Sequence, residues 1–262
     1  MGVVVRLARI VISIMKAKLF IPFVLAASLL LGASVSAQDS DEKIIESTIK
    51  LARAYLGDSD KLDAIDCIHY KGSLLYSSGD LGTIEMIYQE PLRQKMIAVV
   101  NDRKEVSVLN GTEGWTTFER VGDSLPLGME IFDPVRILIM QAAVREAFSF
   151  FQKPDVRNGE ISYQGKETVK GRECHVLDYD HGDGIGYRRF IDAETGQVLR
   201  MLDSKGVEYI EEGEIVVDGI RFPKKMVSTF ATALGSQTME FAYTSITLNK
   251  KLPDSEFVMP LP

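Results

Sequence analysis

GEIVVDGIRFPKKM (Gly213–Met226), followed by MEFAYTSITLNKKLPDSEFVMP (Met239–Pro260), decides the fold. In the first stretch apolar residues alternate on either side of Asp218-Gly219, a dipeptide suited to a tight hairpin turn. The second reads as one long strand ending in a proline-bounded tail. Two long neighbouring strands joined this way belong to an antiparallel β-protein.

Working outward, residues 160–163, 172–179, 186–192, 197–203, 207–217, 220–232 and 236–248 read as strands. Their joints, such as Asp192-Ala193-Glu194-Thr195-Gly196 and Ser204-Lys205-Gly206, carry Gly or Asp where a positive φ is needed. The earlier half repeats the pattern at 68–76, 82–89, 94–100, 105–109 and 114–118. Ser78-Gly79-Asp80, Glu90-Pro91, Asn101-Asp102 and Asn110-Gly111 stand between these strands. The expectation is a mainly β (α+β) fold covered by helices, with about 10 to 12 antiparallel strands forming a strongly curved sheet or an incomplete β-barrel.

Two segments change period. Residues 41–56 place Ile44, Ile45, Ile49, Ala52 and Leu56 at mostly helical spacing, with Ser40 or Asp39 as the cap, Asp41 and Glu42 at the N-terminal dipole and Gly57 at the end. A second helix is predicted after Asp133-Pro134, with Val135, Leu138, Ile139, Ala142, Ala143, Ala147, Phe150 and Phe151 on it. It is apolar around much of its circumference, so both faces can be covered. Ahead of it, VGDSLPLGMEIF (Val121–Phe132) reads as a loop carrying Leu125, Leu127, Met129 and Phe132. Loop and helix fit either a lid or a plain core element.

These strand and turn patterns resemble the LolA-like family of outer-membrane lipoprotein-sorting proteins. Asp218-Gly219-Ile220 with Phe222-Pro223 matches the family's "dGi.fP.ki". Asn249 to Pro260 matches "N..lpd..F..P", and Asn110-Gly111 before Trp115 is similar to its "dG..lW" hairpin. The block from Gly171 to Leu202 is similar to "G..cyvl.l…l.iD..tg.p.r", so the resemblance runs from about Ile65 onward. It implies a curved sheet whose apolar concave face, covered by helices, binds lipoprotein acyl chains or another envelope lipid. The residues expected around that cavity are Met86, Tyr88, Met96, Phe190, Met226, Phe230 and Phe241, with Leu125, Leu127, Met129, Phe132 and Leu138 in the lid. In such carriers an arginine holds the lid shut. At the matching place, Glu90-Pro91-Leu92-Arg93, a glutamate stands where the family has arginine, which leaves Arg93 as the candidate latch. That departure keeps a second reading open, a MucB-type sensory or interaction domain acting through a protein partner. The carrier reading implies inner- and outer-membrane sorting components as partners.

The N-terminus indicates where this happens. Lys16 and Lys18, an apolar run from Leu19 to Leu31 and the small residues Gly32 to Ala37 read as a signal peptide over residues 1–37, with Met15 as an alternative start. The apolar run is short for a membrane span of about 20 residues, although a retained anchor remains the other reading. No cysteine stands near the cleavage site to carry acyl groups, so a soluble periplasmic domain over residues 38–262 is expected.

The chain's formal charge of −7 falls to −11 without the four cations Arg6, Arg9, Lys16 and Lys18 of the leader. That sign disfavours nucleic acid and anionic bilayers as partners. Cys67 and Cys174 lie in strand-like runs, where a cross-strand disulfide and two buried thiols are both compatible with the sequence. Trp115 is read as core rather than ligand contact. His69, His175 and His181 are scattered, and no nucleophile elbow, metal helix, P-loop or dinucleotide fingerprint surrounds them. Asp178, Asp180 and Asp183 lack the spacing of a calcium loop, and Glu211, Glu212 and Glu214 read as a charged strand face or turn. The expectation is a binding protein without cofactor, metal or catalysis.

Overall fold

The structure, a computed structural model, describes residues 34–123, 127–233 and 235–260. Most of the leader and Leu125 therefore lie outside the described residues. Among the described elements, α1 spans Ser34–Leu56, α2 Ser59–Asp63 and α3 Pro134–Ser149, and the strands are β1 (Cys67–Tyr76), β2 (Leu81–Gln89), β3 (Arg93–Val100), β4 (Arg103–Asn110), β5 (Glu113–Arg120), β6 (Gly128–Ile131), β7 (Glu160–Val169), β8 (Arg172–Asp180), β9 (Gly186–Asp192), β10 (Val198–Asp203), β11 (Glu208–Val217), β12 (Ile220–Thr232) and β13 (Gly235–Leu248).

The strands form one antiparallel sheet in the order β6-β5-β4-β3-β2-β1-β13-β12-β11-β10-β9-β8-β7. Two meanders, β1 to β6 and β7 to β13, are joined where β1 pairs with β13. The sheet is curved and stays open, since β6 and β7 are its two free edges; it is not a closed barrel. This connectivity gives α3 its place. It links the two edges, and it crosses the concave face against β2, β3 and β4.

Two boundaries differ from the expectation. The first helix begins at Ser34, so Asp39 and Ser40 lie within it and do not cap it. The segment expected to be a loop before α3 contains β6, which pairs with β5 through Trp115↔Ile131 and Thr117↔Met129. The cap before α3 is as expected, with the Asp133 carboxylate accepting from the Arg136 amide at 2.8 Å and Pro134 at the first turn.

The helices dock on the concave side through separate apolar groups. Ala52, with Ile45 and Ile49, packs on Leu177, Tyr179, Ile191 and Phe151. Leu62, Phe150, Ile220 and Phe222 form a second cluster near α2. Gly196, at φ +79°, lets the β9–β10 turn touch α1, because a Cβ there would lie 2.5 Å from the Leu51 carbonyl oxygen. On the opposite face, Trp115 is buried against Val108 and Phe257, which anchors the C-terminal tail. The two cysteines are free and buried on β1 and β8, six strand positions apart in the sheet, so the cross-strand disulfide does not form.

Candidate functional site

Strand register carries side chains from distant parts of the chain onto one concave surface. Side chains of directly paired residues share a face, and a one-residue step reverses it. Tyr70 pairs with Met86, which pairs with Met96; Tyr88 follows on the same face two residues after Met86. On the other side Arg189 pairs with Met201 and Met201 with Tyr209, while Glu211, two residues on, pairs with Met226. Along α3, Ala143, Glu146, Ala147 and Phe150 recur at helical spacing and face these strands.

Between helix and sheet lies a cavity of about 330 Å³. Its sheet walls are Tyr70, Met86 and Tyr88 on one side and Tyr187, Arg189, Met201, Tyr209 and Glu211 on the other. Phe222, Met226 and Tyr243 lie between these walls, and the end of α1 adds Tyr55 and Leu56. The volume falls at the small end of the range of about 300–1,000 Å³ found for ligand sites. The two alanines of α3 leave room beneath the helix, and the aromatic rings fill much of the wall.

Of the residues expected at the cavity, Met86, Tyr88 and Met226 line it. Met96 and Phe241 belong to the adjoining apolar cluster with Leu74 and Ile84, outside the cavity wall. Phe190 faces the other way, packing with Cys174, Val176 and Leu199, because it follows Arg189 by one residue. Phe230 lies further along β12 and is not part of the wall. Leu127 and Met129 are exposed at the β6 edge, and Leu138 is exposed on α3. Phe132 is buried against Gly114 and beneath Arg136, whose guanidinium stands 3.8 Å from its ring centre. The cover of the cavity is thus the second half of α3, without the preceding segment.

Arg93 does not reach α3. It donates to Asp254 at 2.7 Å and to Asn110 at 3.1 Å, and it lies over Phe257, so it fastens the C-terminal tail. Other residues hold the helix. Arg189 donates from Nη2 to Glu146 on α3, and His181 Nε2 lies 2.6 Å from the other oxygen of that carboxylate. Arg189 also lies over the rings of Phe151 and Tyr179 at 4.9 and 4.4 Å. At the helix end, Arg53 donates to the Phe150 carbonyl at 3.2 Å and to Asp63 at 2.7 Å. A cation there complements the negative end of the α3 dipole.

Charge is unevenly spread around the cavity. Burial lowers the Arg189 guanidinium to about 10, which leaves it charged at neutral pH. Burial lifts the Glu211 carboxyl to about 7, against the pull of Arg189. The phenols of Tyr70, Tyr187, Tyr209 and Tyr243 are raised by burial, and Tyr88 is pushed up to about 12, so all five are neutral. Among the described residues, no cluster of three or more His, Cys, Asp or Glu side chains could hold a metal ion.

Arg189, Glu146, His181 and Glu211 were not singled out as site residues from sequence. Alternation along β9 and β11 was visible there, but the facing of each strand was not.

No protein-family model and no curated protein sequence matches the chain. Solved structures do. A LolA superfamily protein from Nitrosomonas europaea superposes with a TM-score of 0.53 at 12% identity, covering 82% of this chain and 97% of that one. A DUF1329 family protein from Desulfovibrio piger gives 0.52, again at 12% identity and with the same coverage. MucB is matched over 87% of this chain and 64% of its own at 14% identity, but a TM-score of 0.24 carries no argument. The likeness establishes a LolA-like fold.

Proposed function

We propose that this chain is a periplasmic carrier that takes an acyl chain of a lipoprotein, or another envelope lipid, into the cavity beneath α3. The observation that carries this reading is the cavity itself, walled mostly by apolar and aromatic groups and roofed by one helix. Burying an acyl chain there removes it from water at about 0.8 kcal/mol for each methylene. Release requires α3 to compete with the ligand for the same surface, and its ties to Arg189 and Arg53 oppose its displacement. The export signal read at residues 1–37 and the LolA-like fold support the envelope location. No helix among the described residues is long and apolar enough to cross a membrane. The reading assigns no catalysis.

The test is native mass spectrometry with lipid extraction on the chain purified from an envelope fraction without detergent. Co-purified acylated material that disappears when Met86 and Met226 are both replaced by Asp supports the carrier. A clean unliganded mass and no uptake of added lipoprotein sinks it.

One observation favours a second reading, a module acting through a protein partner. Leu127 and Ile131 stand 56% and 68% exposed along the β6 edge, where an added strand could pair. A partner that binds there unaffected by substitutions in the cavity would select it.

A further inference from the structure

The cavity contains an acid that the protein does not answer. Glu211 lines the cavity with an accessible side chain, and its carboxylate has no hydrogen-bond or ion-pair partner among the described residues. Arg189 attracts Glu211 from across the wall but is committed through Nη2 to Glu146, and its remaining Nη1 is sealed from the cavity without a partner. Arg221, at the rim, is paired with Glu214. Of the four charged residues in the lining, Arg189 is paired with Glu146 and Arg221 with Glu214, which leaves Glu211 as the one without a direct partner among the described residues.

The surroundings of that charge are aromatic. Tyr70 lies 5.0 Å from Tyr243 and 6.3 Å from Tyr88, centre to centre, and Glu211 acts electrostatically on both Tyr70 and Tyr243. The hydroxyls of Tyr70, Tyr88, Tyr187 and Tyr243 have no protein hydrogen-bond partner among the described residues. Neutral phenol rings present negative faces, and a cation within about 6 Å of a ring centre is attracted to them. An anionic head group would meet Glu211 while finding the free guanidinium nitrogen closed off.

We infer that the cavity selects a ligand with a positively charged end, an amphiphile bearing an amine or quaternary ammonium group, with the cation beside Glu211 among Tyr70, Tyr88 and Tyr243 and the tail along Met86 and Met226. This inference rests on the lipid-binding reading and adds the charge of the head group to it. A methylated ammonium suits the site because it is bulky and weakly hydrated, so it gives up little water on entering an aromatic enclosure.

Calorimetric titration of the full chain, exported and purified without detergent, compares three ten-carbon amphiphiles below their micelle concentrations: decyltrimethylammonium, decanoate and decyl maltoside. Decyltrimethylammonium is expected to bind roughly tenfold tighter than the other two, and Glu211→Gln to remove that preference while leaving decyl maltoside unchanged. Tyr70→Leu provides an independent arm and should weaken only the cationic ligand. Equal affinity for all three, or preference for decanoate, overturns the inference and leaves the lipid site intact. Failure of all three to bind overturns the lipid-binding reading itself.

Discussion

The wall built by β1 and β2 offers the cavity Tyr70, Met86 and Tyr88, whereas the wall built by β9 to β11 offers Tyr187, Arg189, Tyr209 and Glu211. Both walls are built from neighbouring antiparallel strands, and both hold half-buried tyrosines. They differ in charge. The first contributes by area and shape, which serves any chain of methylenes. The second puts charged groups where burial penalises them, and its arginine holds the helix that closes the site. The ion pair that holds α3 therefore belongs to the charged wall, while the apolar wall adds area and shape.

The largest expected effect comes from breaking the charged wall. Arg189→Met leaves Glu146 buried beside only His181, and denaturant unfolding should show a loss of about 3–5 kcal/mol. Adding Glu146→Leu to the same chain should recover most of that loss. Two independent, additive losses would mean that the pair does not act as a unit.

On the apolar wall, Met86→Ala removes a side chain that is 8% exposed and borders an existing cavity. A loss of about 2 kcal/mol is expected, at the low end for such truncations because the site is already open on one side. A larger loss than that of Arg189→Met would invert the comparison.

A smaller effect, with a definite sign, belongs to Glu211. Its folded carboxyl keeps its proton up to about pH 7, whereas the ordinary group releases it near 4.5. The folded state thus holds the extra proton between these values, and the wild type loses stability as pH rises through the window. Glu211→Gln has no proton to lose. Its Tm should match that of the wild type near pH 4, pull ahead as pH rises, and keep a constant lead above about pH 8. A lead that shrinks as pH rises would show that the carboxylate has a partner in the fold.

The smallest effect is expected outside both walls. Arg93→Ala breaks a contact to Asp254, whose side chain is 86% exposed, and should cost about 1 kcal/mol or less without changing lipid uptake. Altered uptake in this variant would return Arg93 to a role at the lid.

Much of the sheet was legible because its turns carry their own chemistry. Asp218, Gly219 and Gly111 all sit at positive φ, and the strands beside them end within a few residues of the sequence reading. The short strand β6 was not legible, since Gly128 and the neighbouring proline gave its segment the composition of a loop. The site was half legible. Met86, Tyr88 and Met226 could be guessed as apolar residues on alternating strands, but Phe190 and Arg189 differ by one position and face opposite sides of the sheet. Only pairing between strands settles which of two neighbours looks inward, and no local pattern specifies it. His181 and Glu146, 35 residues apart in sequence, meet because α3 must cross from one sheet edge toward the other.

The open sheet leaves two strands with unmatched backbone groups, and they are guarded unequally. The β7 rim has a bulge between Tyr163 and Gly165 and carries Glu160, Lys166 and Glu167, features that discourage a neighbouring copy from docking in register. The β6 rim is only four residues long and displays Met129 and Ile131. Brevity is its main protection. Lengthening that rim by even two regular residues would make it the point at which crowded copies stack, so its shortness bears on the chain's solubility as directly as the surface charge does.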